Sequence, residues 1–408
     1  MAKFDCKALD KEIRDKARQR KEDNKVFYET HLQQLSGDSA ITEEVFDEAA
    51  AVDDNGFFLF DRLEYRFARF NGLTMGRAQT GGDKTQEIVS YVTFYYCDFV
   101  FCGFSNLNFR HCAFVGCNFT ECYTLEFASV FEQCRFMSRT EGESNIEDAP
   151  CMFSNCEWSA GFYGSDLSMA VVEKCHFYFT NMAKTSMKDA IFLDCSFDTM
   201  KVGDCDLRNA KILNPKFIEF QIEDSLHRTK ASKHTYLGPV DFNPKEEREV
   251  RFAADVYSQF SELFENSKLM DLSGEYFFLT KMTERINLKG LPRFKSFLGM
   301  MTCGYGERPS YSLLSALALV LVCGTLYMFL GVSINNELLV FRPTPGQLFP
   351  PPDKLILWYH FSLVTFSTVG YGNVVPVGGS LVVSAVEMVL GVVMVGIWVS
   401  TLVRKMVR

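Results

Sequence analysis

The chain is poor in the residues that usually announce chemistry. Its 408 residues include only six histidines and three tryptophans. No Cys-x-x-Cys pair occurs among the 14 cysteines, so the ligand spacing of a zinc site is missing. No phosphate-binding loop and no nucleophile–base pairing can be read, and no enzymatic activity, catalytic residue or cofactor is expected. The net charge of −9 excludes a generally basic nucleic-acid binder. The first residues, MAKFDCKALDKEIRDK, are charged and lack an apolar core, so no secretory leader is expected and the N-terminus is placed in the cytosol. Charge is itself absent from Tyr311–Val332, 22 residues that would span ~33 Å as a helix. A second long apolar run, Leu381–Val403, contains a single acid, Glu387.

What is abundant is phenylalanine, 39 residues, most of it outside those runs. Phe94, Phe99, Phe104, Phe109, Phe114 and Phe119 recur every five residues. After an irregular patch and a polar insertion, Phe153 and Trp158 keep the spacing. A shifted register then runs Phe162, Leu167, Val172, Phe177, Met182, Met187, Phe192, Phe197, Val202, Leu207, Ile212, Phe217, Ile222. At 47% apolar residues, such a run arises by chance roughly once in ten thousand trials. A period of five is neither helical nor that of a flat strand.

Two residues before these positions lies a smaller set. It holds Cys97, Cys102, Cys112, Cys117, Cys134, Cys151, Cys156, Cys175, Cys195 and Cys205, with Ala160, Ser165, Ala170, Ala190 and Ala210. Cysteine here reads as a small buried hydrophobe, not as a metal ligand or a bridge. The pattern resembles the pentapeptide-repeat family, with cysteine often standing where alanine is usual. The resemblance implies a right-handed quadrilateral β-helix with between six and seven coils.

Flanking stretches complete the soluble part. The charged N-terminal residues read as an exposed helix, weakly amphipathic through Leu9, Ile13 and Ala17, then Val26 and Phe27. The aromatic run from Gly56 to Phe70 is expected to cap the coils, which need covered ends. Residues 246–290 read as two helices joined near Asp271–Gly274, resembling one tetratricopeptide-like hairpin that serves as an adaptor. Lys281, Arg285, Lys289, Arg293, Lys295 and Arg308 then form a basic approach to the first apolar run.

Between the two long runs, Leu355–Phe366 is apolar and aromatic but too short to cross a bilayer. It leads into Thr368-Val369-Gly370-Tyr371-Gly372. Glycine at alternate positions allows a backbone that turns successive carbonyl oxygens to one side, where they can replace the water around a bare cation. Span, half-span, TVGYG and span resemble the pore domain of prokaryotic two-transmembrane potassium channels, with Trp358 and Tyr359 at the aromatic start of the pore helix. The resemblance implies potassium as permeant ion, bound only at residues 368–372, and a homotetramer. It also makes Gly391, with Gly396 below it, the inner-helix hinge candidates; close helix packing is the equal alternative. Asn373 stands where many relatives carry Asp at the outer mouth, and Val364 where some place a carboxylate. Glu387 is expected either as a hydrogen-bonded carboxyl near Ser362 or Thr365, or as a modulatory cation-attracting ring or proton sensor. No helix carries the arginine repeat of an intrinsic voltage sensor.

The resulting expectation is a multidomain chain. Residues 1–90 form a helical arm and cap, 91–223 the β-helix, and 224–307 a helical adaptor. Residues 308–408 form an all-α two-transmembrane pore domain, with outer helix 311–332, pore helix 355–367 and inner helix 381–403. Basic residues flank the outer ends of the two runs, which places both termini in the cytoplasm at the inner membrane. The cytosolic β-helix would regulate or localise a potassium channel, through an unknown ligand or protein partner. The alternative is an interaction scaffold whose membrane part anchors and tetramerises it. Some pentapeptide-repeat proteins mimic DNA and bind topoisomerases; 17 acidic and 10 basic residues in 90–222 allow that without singling it out. Nucleic acid is not expected as a partner.

Overall fold

The computed structural model describes residues 6–36, 44–47, 52–77, 85–125, 128–136, 149–224, 226–238, 247–335, 337–343 and 350–407. They fall into two compact units, Met1–Thr283 and Glu284–Arg408. Most of the polar insertion after Phe136 lies outside the described residues.

The period of five becomes geometry at the corners. In coil after coil, the residue before the small position takes the left-handed conformation, as at Asn106 (φ 50°), His111 (φ 53°), Asp194 (φ 53°) and Asn209 (φ 61°). Asparagine and aspartate tolerate this region best, and they hold many of the corners. Four corners close one coil, so strands 20 residues apart pair in parallel: Val171–Glu173 with Ile191–Leu193, and these with Lys211–Leu213. The result is a four-faced parallel β-helix. Among the described residues, one face has nine strands, two have seven, and the fourth is a three-stranded sheet continued by single bridges from Arg135 to Lys230. The coils begin earlier than residue 91: Glu64–Arg66 and Ala68–Asn71 already pair in register with the strands that follow. Residues 78–84, which lie outside the described residues, interrupt the period and hide those first pentads.

Inside, the bulky positions stack in columns. Phe70, Phe99, Phe119 and Phe153 lie ring on ring, with centroids 4.8 Å apart at each step. That distance is the spacing of paired strands, so backbone pairing and aromatic stacking reinforce each other. The small positions stack likewise, and Cys122 joins them. Their thiols do more than fill space. Cys102 Sγ donates to Phe70 O (3.3 Å), Cys122 Sγ to Phe99 O (3.3 Å) and Cys156 Sγ to Phe119 O (3.3 Å). Ser165 and Thr185 hydroxyls make the same bond to Phe131 O and Phe162 O. Burial pushes the Cys195 thiol up to about 12 and Cys205 up to about 11, which keeps both neutral and unreactive.

Both ends are covered. Phe46 stacks on Phe70, and Phe58 and Phe60 meet it edge-on. The N-terminal helix α1 (Cys6–Ser36) does not cap, nor is it a solvated arm. It runs along the nine-stranded face, burying Ile13 and Ala17 against Val171, Ile191, Leu193 and Leu213. Arg14 forms a forked pair with Asp194 (2.9 and 3.0 Å) and holds that carboxyl below the usual carboxylate range. Arg20 donates to the carbonyls of Met169 and Asp189.

At the other end lie α2 (Glu247–Asn266) and α3 (Met270–Asn287). Their junction is at Ser267–Leu269, not Asp271–Gly274, because Lys268 takes the left-handed turn (φ 59°). Phe260 meets Phe217 and Phe220 edge-on, and the Gln259 carboxamide accepts from Ile222 N and donates to Phe220 O.

The second unit adds α4 (Gly290–Cys303), α5 (Pro309–Leu330), α6 (Pro352–Phe366) and α7 (Gly379–Val407). An antiparallel sheet of Val332–Ile334, Glu337–Leu339 and Val374–Pro376 occupies part of the stretch between α5 and α6 and the segment before α7.

The cysteine and phenylalanine columns can be weighed against each other. Cys122→Ala or Cys195→Ala is expected to cost ~1–2 kcal/mol, and Phe119→Ala ~3–5 kcal/mol. Denaturant unfolding under reducing conditions measures this, and unfolding caused by the reductant alone would contradict it.

Candidate functional site

The site is the short stretch between α6 and α7. Three proline residues, Pro350–Pro352, lead into α6, where fixed φ suits a helix start. The helix ends at Phe366, and the chain leaves it through Thr368, whose N–H donates to Thr365 O, and Val369, whose N–H donates to Val364 O. Thr368, Gly370 and Gly372 then take positive φ (58°, 57° and 79°), while Val369 and Tyr371 between them do not. This alternation reverses the hand of the backbone at every residue. A Cβ added at Gly370 or Gly372 would meet nothing within 4 Å, so conformation and not crowding calls for glycine there. Val369 and Tyr371 are 55% and 69% exposed within the single chain. The His360 ring lies parallel to Tyr371, centroids 6.2 Å apart. Asn373, exposed, leads directly into the strand Val374–Pro376.

Three helices hold this stretch. Tyr327 of α5, Trp358 and Phe361 of α6, and Val332 form the buried centre of the unit. Gly324 on α5 gives room to the Tyr359 ring; a Cβ there would lie 2.4 Å from it. Glu387 is fully buried. Its carboxylate accepts from Tyr327 Oη (2.6 Å) and from the Ser362 hydroxyl, so one acid ties α7 to both α5 and α6. This is the hydrogen-bonded carboxyl against Ser362. Within the single chain this carboxylate is not exposed. The two hinge candidates separate as well. A Cβ at Gly391 would lie 2.3 Å from Phe366 O, so α7 touches the end of α6 there, whereas a Cβ at Gly396 would meet no other element within 4 Å. Sequence reading gave no sign of Gly324 or Tyr327 as partners, because each is one small or aromatic residue in an apolar run.

Below, Arg404 near the end of α7 pairs with Glu307 at 2.9 Å, in the turn that precedes α5. The Glu307 side chain is only 10% exposed. Arg408 lies outside the described residues.

α5 and α7 are long and apolar enough to cross a membrane, the most apolar 18 residues reaching a mean hydropathy of 2.4 within Pro309–Leu330 and 2.3 within Gly379–Met406. Only 28% and 22% of those windows is buried within the chain. Comparison with known proteins agrees. Residues 355–408 match the family described as ion channel. No curated protein matches the chain. Among solved structures, two trypsin-treated forms of QnrB1, a plasmid-mediated fluoroquinolone resistance protein, are each 16% identical. One alignment covers 41% of this chain and 79% of that one at TM-score 0.17, the other 38% and 90% at 0.13. A pentapeptide repeat protein from the cyanobacterium Cyanothece 51142 is also 16% identical, over 31% of this chain and 91% of that one, at TM-score 0.11.

The two glycines of α7 give opposite expectations. Gly391→Ala should lose ~1–3 kcal/mol, since backbone is in the way, and displace the end of α6 beside Thr368. Gly396→Ala should be neutral or stabilising by up to ~1 kcal/mol. Thermal melts of the detergent-purified protein read the difference, and equal effects would refute the packing role of Gly391. The chain thus combines a four-faced parallel β-helix of five-residue period with two helices long and apolar enough to cross a membrane, and residues 355–408 are similar to the ion channel family.

Proposed function

We propose that the protein is a homotetrameric, potassium-selective channel whose β-helix regulates or localises it from the cytosol, with both termini on that side of the inner membrane. The observation that carries this reading is the alternating backbone of Thr368, Gly370 and Gly372. When left- and right-handed residues alternate, successive peptide planes present their oxygens to the same side, as a row of cation sites requires. One chain supplies one such row, and a dehydrated ion needs oxygens all round it, hence four copies about an axis. Exposed Val369 and Tyr371 are then the surfaces that neighbouring copies cover. Asn373 leaves the outer mouth without a carboxylate ring.

Flux in liposomes tests this. K⁺ and Rb⁺ should pass and Na⁺ be largely excluded. Gly370→Ala places a methyl on a left-handed residue at ~1–2 kcal/mol in each of four subunits, so flux should fall at least ~100-fold. Undiminished flux would remove the assignment. A stable tetramer without flux in the parent protein would favour the scaffold reading instead.

Regulation, on this reading, enters through the turn before α5. The Glu307–Arg404 pair ties that turn to the end of the inner helix, so a shift upstream of α5 reaches the inner helix directly. A ligand of the β-helix would act only through different affinity for open and closed states. Glu307→Gln and Arg404→Gln should each change open probability, and the double variant should match the singles. Additive effects, or none, would leave the β-helix as a passive platform.

A further inference from the structure

The stretch that follows α6 has an ionisable neighbour to which the proposed function gives no part. From Leu355 to Val386 the sequence holds no Asp, Glu, Lys or Arg. It does hold His360, the sole histidine between residues 284 and 408. This residue lies in the middle of α6 and is exposed within the single chain. Its ring is parallel to that of Tyr371, with 8° between the planes and 6.2 Å between the centroids. Tyr371 in turn is flanked by Gly370 and Gly372, both of positive φ, and lies two residues before Asn373.

The surroundings of this imidazole carry no charge of their own. One turn away on α6 stand Ile356, Leu357, Leu363 and Val364. The Tyr359 hydroxyl is bonded to Thr325 Oγ1 (3.1 Å). Past Tyr371 come Gly372, Asn373 and the strand Val374–Pro376, all uncharged. α5 contains no ionised side chain, and Glu387 of α7 is buried against Tyr327 and Ser362. The nearest cation along α6 is Lys354, in its first turn, six residues earlier. A proton on His360 therefore creates a charge with no partner from Leu355 to Val386, and Asn373 supplies no carboxylate to offset it. Imidazole is the side chain that changes charge between pH 5 and 8 in ordinary surroundings. Neutral, it is a flat plate beside the phenol ring. Protonated, it is a cation near the distance at which the negative face of a tyrosine ring attracts one, so the charge is held next to the carbonyl row.

We propose that His360 is a proton-sensing residue of the outer mouth: when it is protonated from the non-cytosolic side, four imidazolium rings surround the exit of the row and hold potassium back. This rests on the channel reading under Proposed function and adds to it a regulator that acts from outside. One proton binds one ring nitrogen and leaves by the same route, and nothing else is transferred.

Planar-bilayer recordings of the full chain in potassium chloride test this, with pH lowered from about 8 to about 5.5 on one side at a time. The readout is the ratio of unit conductance at the two pH values, which does not depend on how much protein inserts. Expected is a fall of roughly three- to tenfold in about 0.1 M salt, from one side only, and a smaller fall in about 1 M salt, where the charges are screened. H360F keeps a flat ring beside Tyr371 but cannot titrate, and its ratio should be near unity; H360Q should behave alike. H360R, charged at every pH, should show the low conductance of the acidified parent throughout. Sidedness and salt dependence are read in the parent alone, so they decide even where a variant does not assemble. A parent conductance independent of pH, an equal fall from both sides or at both salt concentrations, or a fall that persists in H360F and H360Q would each overturn the proposal and leave the potassium channel standing. No potassium current at either pH would remove the channel reading and the proposal together.

Discussion

The spacing of adjacent coils governs the N-terminal unit. Parallel strands pair at ~4.8 Å, and Phe99 stacks on Phe119 at 4.8 Å. A side chain chosen for stacking is therefore also chosen for strand register, and a slip of one coil position would break both at once. The left-handed corners are the cost of this arrangement. Each non-glycine corner is unfavourable by ~1–2 kcal/mol alone, and the aromatic columns hold the chain there. The thiol-to-carbonyl bonds add a second tie from each coil to the one below, which explains why cysteine, serine and threonine share one position.

In the second unit the governing feature is close approach. Gly391 brings α7 onto the carbonyl of Phe366, and Gly324 brings α5 onto Tyr359. Between these contacts Glu387 makes two hydrogen bonds to different helices. A carboxyl away from water must be satisfied, so the three helices can separate only by leaving it unpaired. The stretch beside Thr368 is held by this triangle, and its own glycines are free of crowding. Rigidity around the site and conformational freedom within it come from different glycines.

Much of this was legible in the sequence. The pentads stood out because the same two side chains in every five must fill the core. The spans, the half-span and the alternating glycines stood out because each is a local pattern. The first coils did not, since residues 78–84 break the period. The lie of α1 did not either: Ile13 and Ala17 mark a buried side, but the partners of Arg14 and Lys21 lie 180 and 152 residues away. One signal went unused. Asn106, Asn155, Asp189, Asp194, Asp204, Asn209 and Asn214 mark the left-handed corners at fixed offset from the bulky residues, and they would have located each turn. Gly391 could not be resolved between bending and packing, because a sequence shows that a side chain is missing but not what occupies its place.

The Gln259 carboxamide has a consequence for the whole β-helix. A coil ends in the same row of donors and acceptors with which it began, so the last coil of one copy is a template for the first coil of another. Gln259 presents an oxygen to Ile222 N and a nitrogen to Phe220 O, which is what one more strand would present. The side chain counterfeits a neighbour and ends the ladder. On the nine-stranded face Tyr276 Oη does the same for Leu237 N (2.7 Å), so side chains of α2 and α3 stand where a growing fibre would add its next coil.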